Sequence, residues 1–132
     1  LPTSGKVFLS IKDMDKQAPM LEAAQILINL GFSLIATRGT AAWLVKNGLA
    51  CDLVNKVYEG RPDIVDMLKD GAIALVMNTT EGAQAVEDSR EIRSVALYDK
   101  IPYYTTAAGA HATALAMQAR EEGDVGVMAL QG

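Results

Sequence analysis

Leu34-Ile35-Ala36-Thr37-Arg38-Gly39-Thr40-Ala41-Ala42-Trp43-Leu44-Val45 joins an apolar run, a polar turn with one glycine and a helix-forming run. A strand that closes in a short glycine-containing turn and opens into a helix places free backbone N–H groups and the positive end of a helix dipole at one point. The hydroxyls of Thr37 and Thr40 add donors at the same point. An anion is therefore expected to bind there. Thr and Gly at a helix start are also ordinary capping chemistry, so the turn alone is an even choice between the two readings.

The same order of short apolar run and amphipathic helix repeats on both sides of this turn, which is the pattern of a parallel sheet with crossover helices. Five units follow from it. Lys6–Ser10 is a strand, and a helix runs from Pro19 to Leu30 with a buried stripe of Leu21, Ala24, Leu27 and Ile28 and Gly31 as its stop. The second strand, Ser33–Ala36, leads through the turn into a short helix ending near Asn47-Gly48. Cys51–Val54 is a third strand, followed by the polar loop Asn55–Arg61 and a helix opening at Pro62 and closing at Gly71, with Asp63 in its first turn. Ile73–Met77 is the most apolar strand and is expected to be central. Asn78-Thr79-Thr80 then caps a long helix reaching about Asp99, and a short strand at Tyr103-Tyr104 precedes an Ala-rich helix from Ala108 to Glu122. There the small residues Ala108, Gly109, Ala110, Ala112 and Ala116 are expected to allow close approach to the sheet. The fold class expected is α/β: one three-layer domain, a five-stranded parallel sheet with helices on both faces.

At 132 residues, half of them hydrophobic, the chain suits one domain with one core. Residues 1–5 read as a linker remnant, 6–124 as the domain and 125–132 as a C-terminal tail. Leu1-Pro2-Thr3-Ser4 lacks an initiating Met, so a piece of a larger protein is expected. The net charge of -4 and the absence of Lys or Arg runs argue against nucleic acid and anionic membrane as partners. Cys51 is the only cysteine and His111 the only histidine, which excludes an internal disulfide and a His/Cys zinc cluster. No stretch has the length of a membrane span and no signal peptide is visible, so a cytoplasmic location is expected.

Ligands of open parallel sheets bind outside the carboxyl ends of the strands. The polar residues expected there are Ser10 and Lys16; Thr37, Gly39 and Thr40; Asn55 and Lys56; Asn78, Thr79 and Thr80; and Thr105 and Thr106. Hydroxyls, amides and two lysines suit the holding of a phosphate monoester better than the breaking of a bond. For any single residue, capping or a solvated charge explains it equally well; for all the loops together, a common ligand explains more. Trp43 reads as core or a subunit contact ahead of ligand stacking, His111 as structural with no carboxylate partner evident in the sequence, and Glu87–Arg93 as a solvated helix face or equally as a face toward a neighbouring domain or subunit.

Set side by side, the loops and their flanks read Gly31-Phe32, Ala36-Thr37-x-Gly39-Thr40-Ala41, Leu53-Val54-Asn55-Lys56-Val57-x-Glu59-Gly60-Arg61-Pro62, Asn78-Thr79-Thr80-x-Gly82 and Ala85-x-Glu87-Asp88-Ser89-Arg90. In these stretches the chain resembles the C-terminal regulatory domain of the large subunit of carbamoyl phosphate synthetase, in the methylglyoxal synthase-like fold family. The resemblance covers Gly5 to Asp124 and implies a regulatory pocket for a nucleotide monophosphate, uridylate (UMP) inhibiting and inosinate (IMP) activating in the bacterial enzymes. By position, Ser10, Lys16, Thr37, Thr40, Lys56, Asn78 and Thr80 would line it. It also implies no cofactor in this domain, with ATP and Mg2+ (or Mn2+) used in preceding domains of the large subunit for two phosphorylations that build carbamoyl phosphate. A glutaminase small subunit is the implied partner, with further oligomerisation of such heterodimers. The pathways implied are pyrimidine and arginine biosynthesis. A second effector, ornithine, is implied at the boundary with the preceding domain around Tyr104 and Thr105. Some bacterial relatives carry Asp where this chain has Tyr104, which supplies no carboxylate and weakens the case for ornithine. Arg38, which stands where close relatives can have His, would add a phosphate contact or point to solvent.

Two other readings compete. A methylglyoxal synthase eliminating phosphate from dihydroxyacetone phosphate needs a carboxylate base, and Asp63 in Arg61-Pro62-Asp63 matches that position. Against it, Asn78-Thr79-Thr80 replaces the synthases' Trp-Asp-Pro, and His111 is displaced from their His. A receiver-like phosphoacceptor domain needs an acidic cluster at strand ends, where this chain has Ser10 and Asn55.

Overall fold

The computed structural model describes residues 2–54, 63–79 and 86–131, with side chains from 2–54, 63–79 and 90–123. Among the described residues, five strands and five α-helices alternate: β1 Lys6–Ser10, α1 Ala18–Asn29, β2 Ser33–Ala36, α2 Arg38–Lys46, β3 Asp52–Leu53, α3 Ile64–Lys69, β4 Ile73–Asn78, α4 Val86–Tyr98, β5 Tyr103–Tyr104 and α5 Ala107–Gln131. A short 3-10 turn, Asp13–Asp15, follows β1. All strand pairings are parallel and the order across the sheet is β3-β2-β1-β4-β5. The expected five-stranded parallel sheet is therefore the one observed.

Strand alternation sorts the core onto two faces. Val7, Leu9, Leu34, Ala36, Leu75 and Met77 pack with Met20, Leu27, Leu44 and Ala110 of α1, α2 and α5. Phe8, Ile35 and Val76 pack with Ile64, Val65 and Leu68 of α3 and Ile92 of α4. This division is what right-handed crossovers require when the chain first travels outward from β1 to β3 and then reverses to β4 and β5. The reversal places a switch point between β1 and β4, whose last residues, Ser10 and Asn78, are register partners.

Several elements differ in detail from expectation. The central strand is β1; β4, though the most apolar, lies one place off centre between β1 and β5. β3 has only two paired residues, both exposed, because it is an edge strand. Helix α2 begins at Arg38, so the polar turn is itself the first helical turn. Asn78 closes β4 and Thr79 N–H continues the ladder to Ser10 C=O at 2.9 Å, so neither starts the next helix; Thr80, the remaining residue of that expected cap, lies outside the described residues. Helix α5 runs on to Gln131, through the stretch expected as a tail.

Helix α1 packs on the sheet and also against α5, which changes its buried stripe. Met20, Ala23, Ala24, Ile26 and Leu27 are buried, with Leu21 and Ile28 at the margin. Of the small residues of α5, Ala110 packs with the sheet as expected, whereas Ala108, Ala112 and Ala116 are exposed; Ala23 and Ile26 meet Ala114 of α5 in a helix–helix contact. Gly31, with φ +97°, ends α1 as expected: its N–H bonds Ile28 C=O at 3.0 Å and Phe32 N–H bonds Leu27 C=O at 3.0 Å.

Within the stretch expected as a linker, Gly5 takes part in the sheet by accepting from Ser33 N–H at 3.1 Å. The register of β1 on β4 slips between Lys6, opposite Ile73, and Val7, opposite Leu75, leaving Ala74 as the extra residue of a bulge. At Gly5, φ is +123° and a Cβ would lie 2.9 Å from the Ala74 Cβ. Gly5→Ala is therefore expected to lower stability by about 1–3 kcal/mol, read as a fall in the urea midpoint. An unchanged midpoint would mean that the bulge relaxes freely.

Candidate anion-binding site

The carboxyl ends of β1, β2 and β4 are tied together through their polar residues. Thr40, 2% exposed, accepts at Oγ1 from Ile11 N–H at 2.9 Å. Thr79, also 2% exposed, accepts at Oγ1 from Lys12 N–H at 3.0 Å. The exit of β1 is thus held on one side by the first turn of α2 and on the other by the end of β4. Buried backbone N–H groups need partners, and these two hydroxyls supply them. Thr37 Oγ1 lies 3.4 Å from Thr40 Oγ1, a long contact, and makes no capping bond to the helix it precedes. Asn78, 1% exposed, donates from Nδ2 to the Tyr103 hydroxyl at 2.8 Å.

Lys16 comes from the loop after β1 and reaches the α2 turn. Its Nζ stands 3.5 Å from where a Cβ on Gly39 would be, an ordinary contact distance that places the ammonium above the helix start. Its side chain is 19% exposed and bonds Asp13 Oδ1 at 2.6 Å. That hydrogen bond, with the Lys16 charge, holds the Asp13 carboxyl below its ordinary range. The first intrahelical bond of α2 is Ala41 N–H to Thr37 C=O at 2.8 Å, so the N–H groups of residues 38–40 precede the helical ladder. An ammonium and a helix start coincide here, an arrangement whose charge and backbone N–H groups suit an anion.

The structure thus brings together Ser10, Lys16, Thr37, Gly39, Thr40, Asn78 and Thr79. Lys56 and Thr80 lie outside the described residues, as does Asn55. Tyr104 pairs with Met77 on the edge strand β5 and packs partly buried against the α1 side of the core; Thr105 is exposed beside it. Tyr103 was missed by sequence reasoning, because only the β4–β5 register places it beside Asn78. Asp13 was missed as a partner of Lys16 although its i,i+3 spacing was legible.

The description MGS-like domain belongs to the family model that matches residues 19–105. This chain belongs to the MGS-like domain family. The MGS-like domain is 52% identical over 124 residues to the carbamoyl phosphate synthase large chain of Xanthomonas axonopodis pv. citri, covering 94% of this chain and 11% of that one. The protein of the same name from Halomonas eurihalina is 55% identical over 113 residues, 86% of this chain and 10% of the relative. That from Rhizobium meliloti is 45% identical over 131 residues, 99% and 11% respectively. The chain spans about a tenth of the length of the curated relatives it matches.

Other groups of the MGS-like domain have structural work. His111 Nε2 meets Glu22 Oε1 at 3.0 Å, a carboxylate partner on α1 that sequence spacing did not reveal. Trp43 packs partly buried against the core. Burial, with the neighbouring Asp52 charge, pushes the Cys51 thiol up to about 11, which keeps it neutral and a poor nucleophile at pH 7. No group of His, Cys, Asp and Glu among the described residues could hold a metal ion, and no helix there is long and apolar enough to cross a membrane.

Proposed function

We propose that this MGS-like domain is the regulatory module of a carbamoyl phosphate synthetase large chain and binds the phosphate of a nucleotide monophosphate at the carboxyl ends of β1, β2 and β4. The observation that carries this reading is the placement of Lys16 Nζ above Gly39 at the start of α2. Phosphate would accept from the first-turn N–H groups and from Lys16, while the buried threonine and asparagine network keeps the three strand ends in fixed relation. The nucleotides are UMP as inhibitor and IMP as activator. By binding two states of the longer protein with different affinity, they would shift its glutamine- and ATP-dependent synthesis of carbamoyl phosphate. The glutaminase subunit and the preceding domains are its partners in that assembly.

The test is calorimetric titration of the chain with UMP, IMP and inorganic phosphate in parallel. Lys16→Ala is expected to weaken nucleotide binding by about 1.5–3 kcal/mol, the value of a charge-assisted hydrogen bond. Unchanged affinity in that variant would remove Lys16 from the site. The lyase reading gains no support from geometry. Asp63, which matches the synthases' base, is the N-cap of α3: its Oδ1 accepts from Asp66 N–H at 2.9 Å and Asp66 Oδ2 accepts from Asp63 N–H at 3.1 Å. That capping box accounts for its burial.

A further inference from the structure

The geometry of the turn after β1 assigns Asp13 a role that the proposed function leaves open: Asp13 is an internal counter-anion that competes with phosphate for the Lys16 ammonium and sets the affinity of the site. This inference rests on the phosphate-site reading above. The pair is asymmetric. The Lys16 side chain is 19% exposed and lies over Gly39, whereas the Asp13 side chain is 94% exposed. Packing therefore holds the ammonium in place, and the carboxylate reaches it from solvent with freedom to swing away. A ligand phosphate arriving at the α2 start would face a carboxylate on the same ammonium, and two anions sharing one cation repel each other.

Two consequences follow from that competition. Affinity is lower than the helix start and Lys16 would otherwise give. Selectivity is higher, because a dianionic monoester displaces a carboxylate more readily than a singly charged anion does. The neighbouring pair of the same turn, Lys12 and Asp15, has the same i,i+3 spacing, with Nζ and Oδ2 3.8 Å apart. It gives a control for general loss of negative charge.

Inorganic phosphate is titrated calorimetrically into the wild type, Asp13→Asn, Asp15→Asn, Lys16→Ala and the double variant Asp13→Asn/Lys16→Ala. Asp13→Asn is expected to tighten phosphate binding by about three- to tenfold, since the carboxylate that competes for the Lys16 ammonium is removed. Asp15→Asn should change it by less than about twofold, and Asp13→Asn should have no effect once Lys16 is gone. Phosphate binding that is unchanged or weakened in Asp13→Asn, with the wild type binding normally, overturns the competition and leaves the phosphate site standing. An equal gain in Asp15→Asn, or a gain that persists without Lys16, overturns it also. Failure of the wild type and every variant to bind phosphate removes the site itself, and the competition with it.

Discussion

Gly39→Asp is expected to lower phosphate affinity by roughly a hundredfold or more, while the melting temperature holds or rises. Gly39 is the second residue of α2 and its φ lies outside the region that only glycine favours, so a side chain is compatible with the backbone. The nearest group to a new Cβ is Lys16 Nζ at 3.5 Å, an ordinary contact. A carboxylate in the first turn of a helix is favourable by about 0.3–1 kcal/mol, and replacing glycine within a helix adds about 0.5–1 kcal/mol. The same carboxylate would pair with Lys16 and occupy the place where phosphate is expected. Unit charges about 4 Å apart near a protein surface repel by about 4 kcal/mol, and solvent and the Lys16 charge reduce that to the stated factor. Titration with phosphate beside a thermal melt separates this outcome from misfolding. A variant that keeps wild-type phosphate affinity would move the anion site away from the α2 start. Gly39→Ala, which adds only a methyl group, should fall between the two.

The sheet and its five helices were legible because apolar runs of strand length alternate with helical stretches, and because Gly31 and Gly71 stand where helices stop. What the pattern could not give was lateral order. Apolarity placed β4 at the centre, yet β1 is central because the chain reverses direction after β3, and nothing local to Ile73–Asn78 encodes that reversal. Similarly, Thr40 and Thr79 were recognised as strand-end hydroxyls, but their engagement with Ile11 and Lys12 N–H depends on contacts 29 and 67 residues apart in sequence. The same limit hid Glu22 from His111, 89 residues away. Short-range chemistry was legible only in part: Asp63 was read as a first-turn acid and is the N-cap, and the pairing of Asp13 with Lys16, although it spans three residues, did not stand out from the other charges of the same turn.

Phe8→Ala should cost about 3–5 kcal/mol, a large fraction of the 5–15 kcal/mol that holds a domain folded. Phe8 is fully buried at the middle of the central strand, with Ile35 of β2 and Val76 of β4 as its register partners. Its ring fills the layer between the sheet and α3, where Ile64, Val65 and Leu68 meet it. Because β1 is hydrogen-bonded on both sides, the backbone has little freedom to collapse into the vacated volume, and the cavity persists. Leu97→Ala, at a side chain 61% exposed, is the matching control and should change stability by less than about 0.5 kcal/mol. Phe8 also lies two residues before Ser10, on the strand whose exit the threonines fasten. If the phosphate site depends on those bonds and not on the ring itself, the folded variant should retain its affinity. Phosphate at a hundredfold excess over Kd would then restore about 2.7 kcal/mol of stability to it, as it would add to the wild type. Equal phosphate-induced shifts in the two proteins, measured by urea unfolding, are the expected result. A shift seen in the wild type and absent from Phe8→Ala would mean that the strand-end network has loosened with the core beneath it.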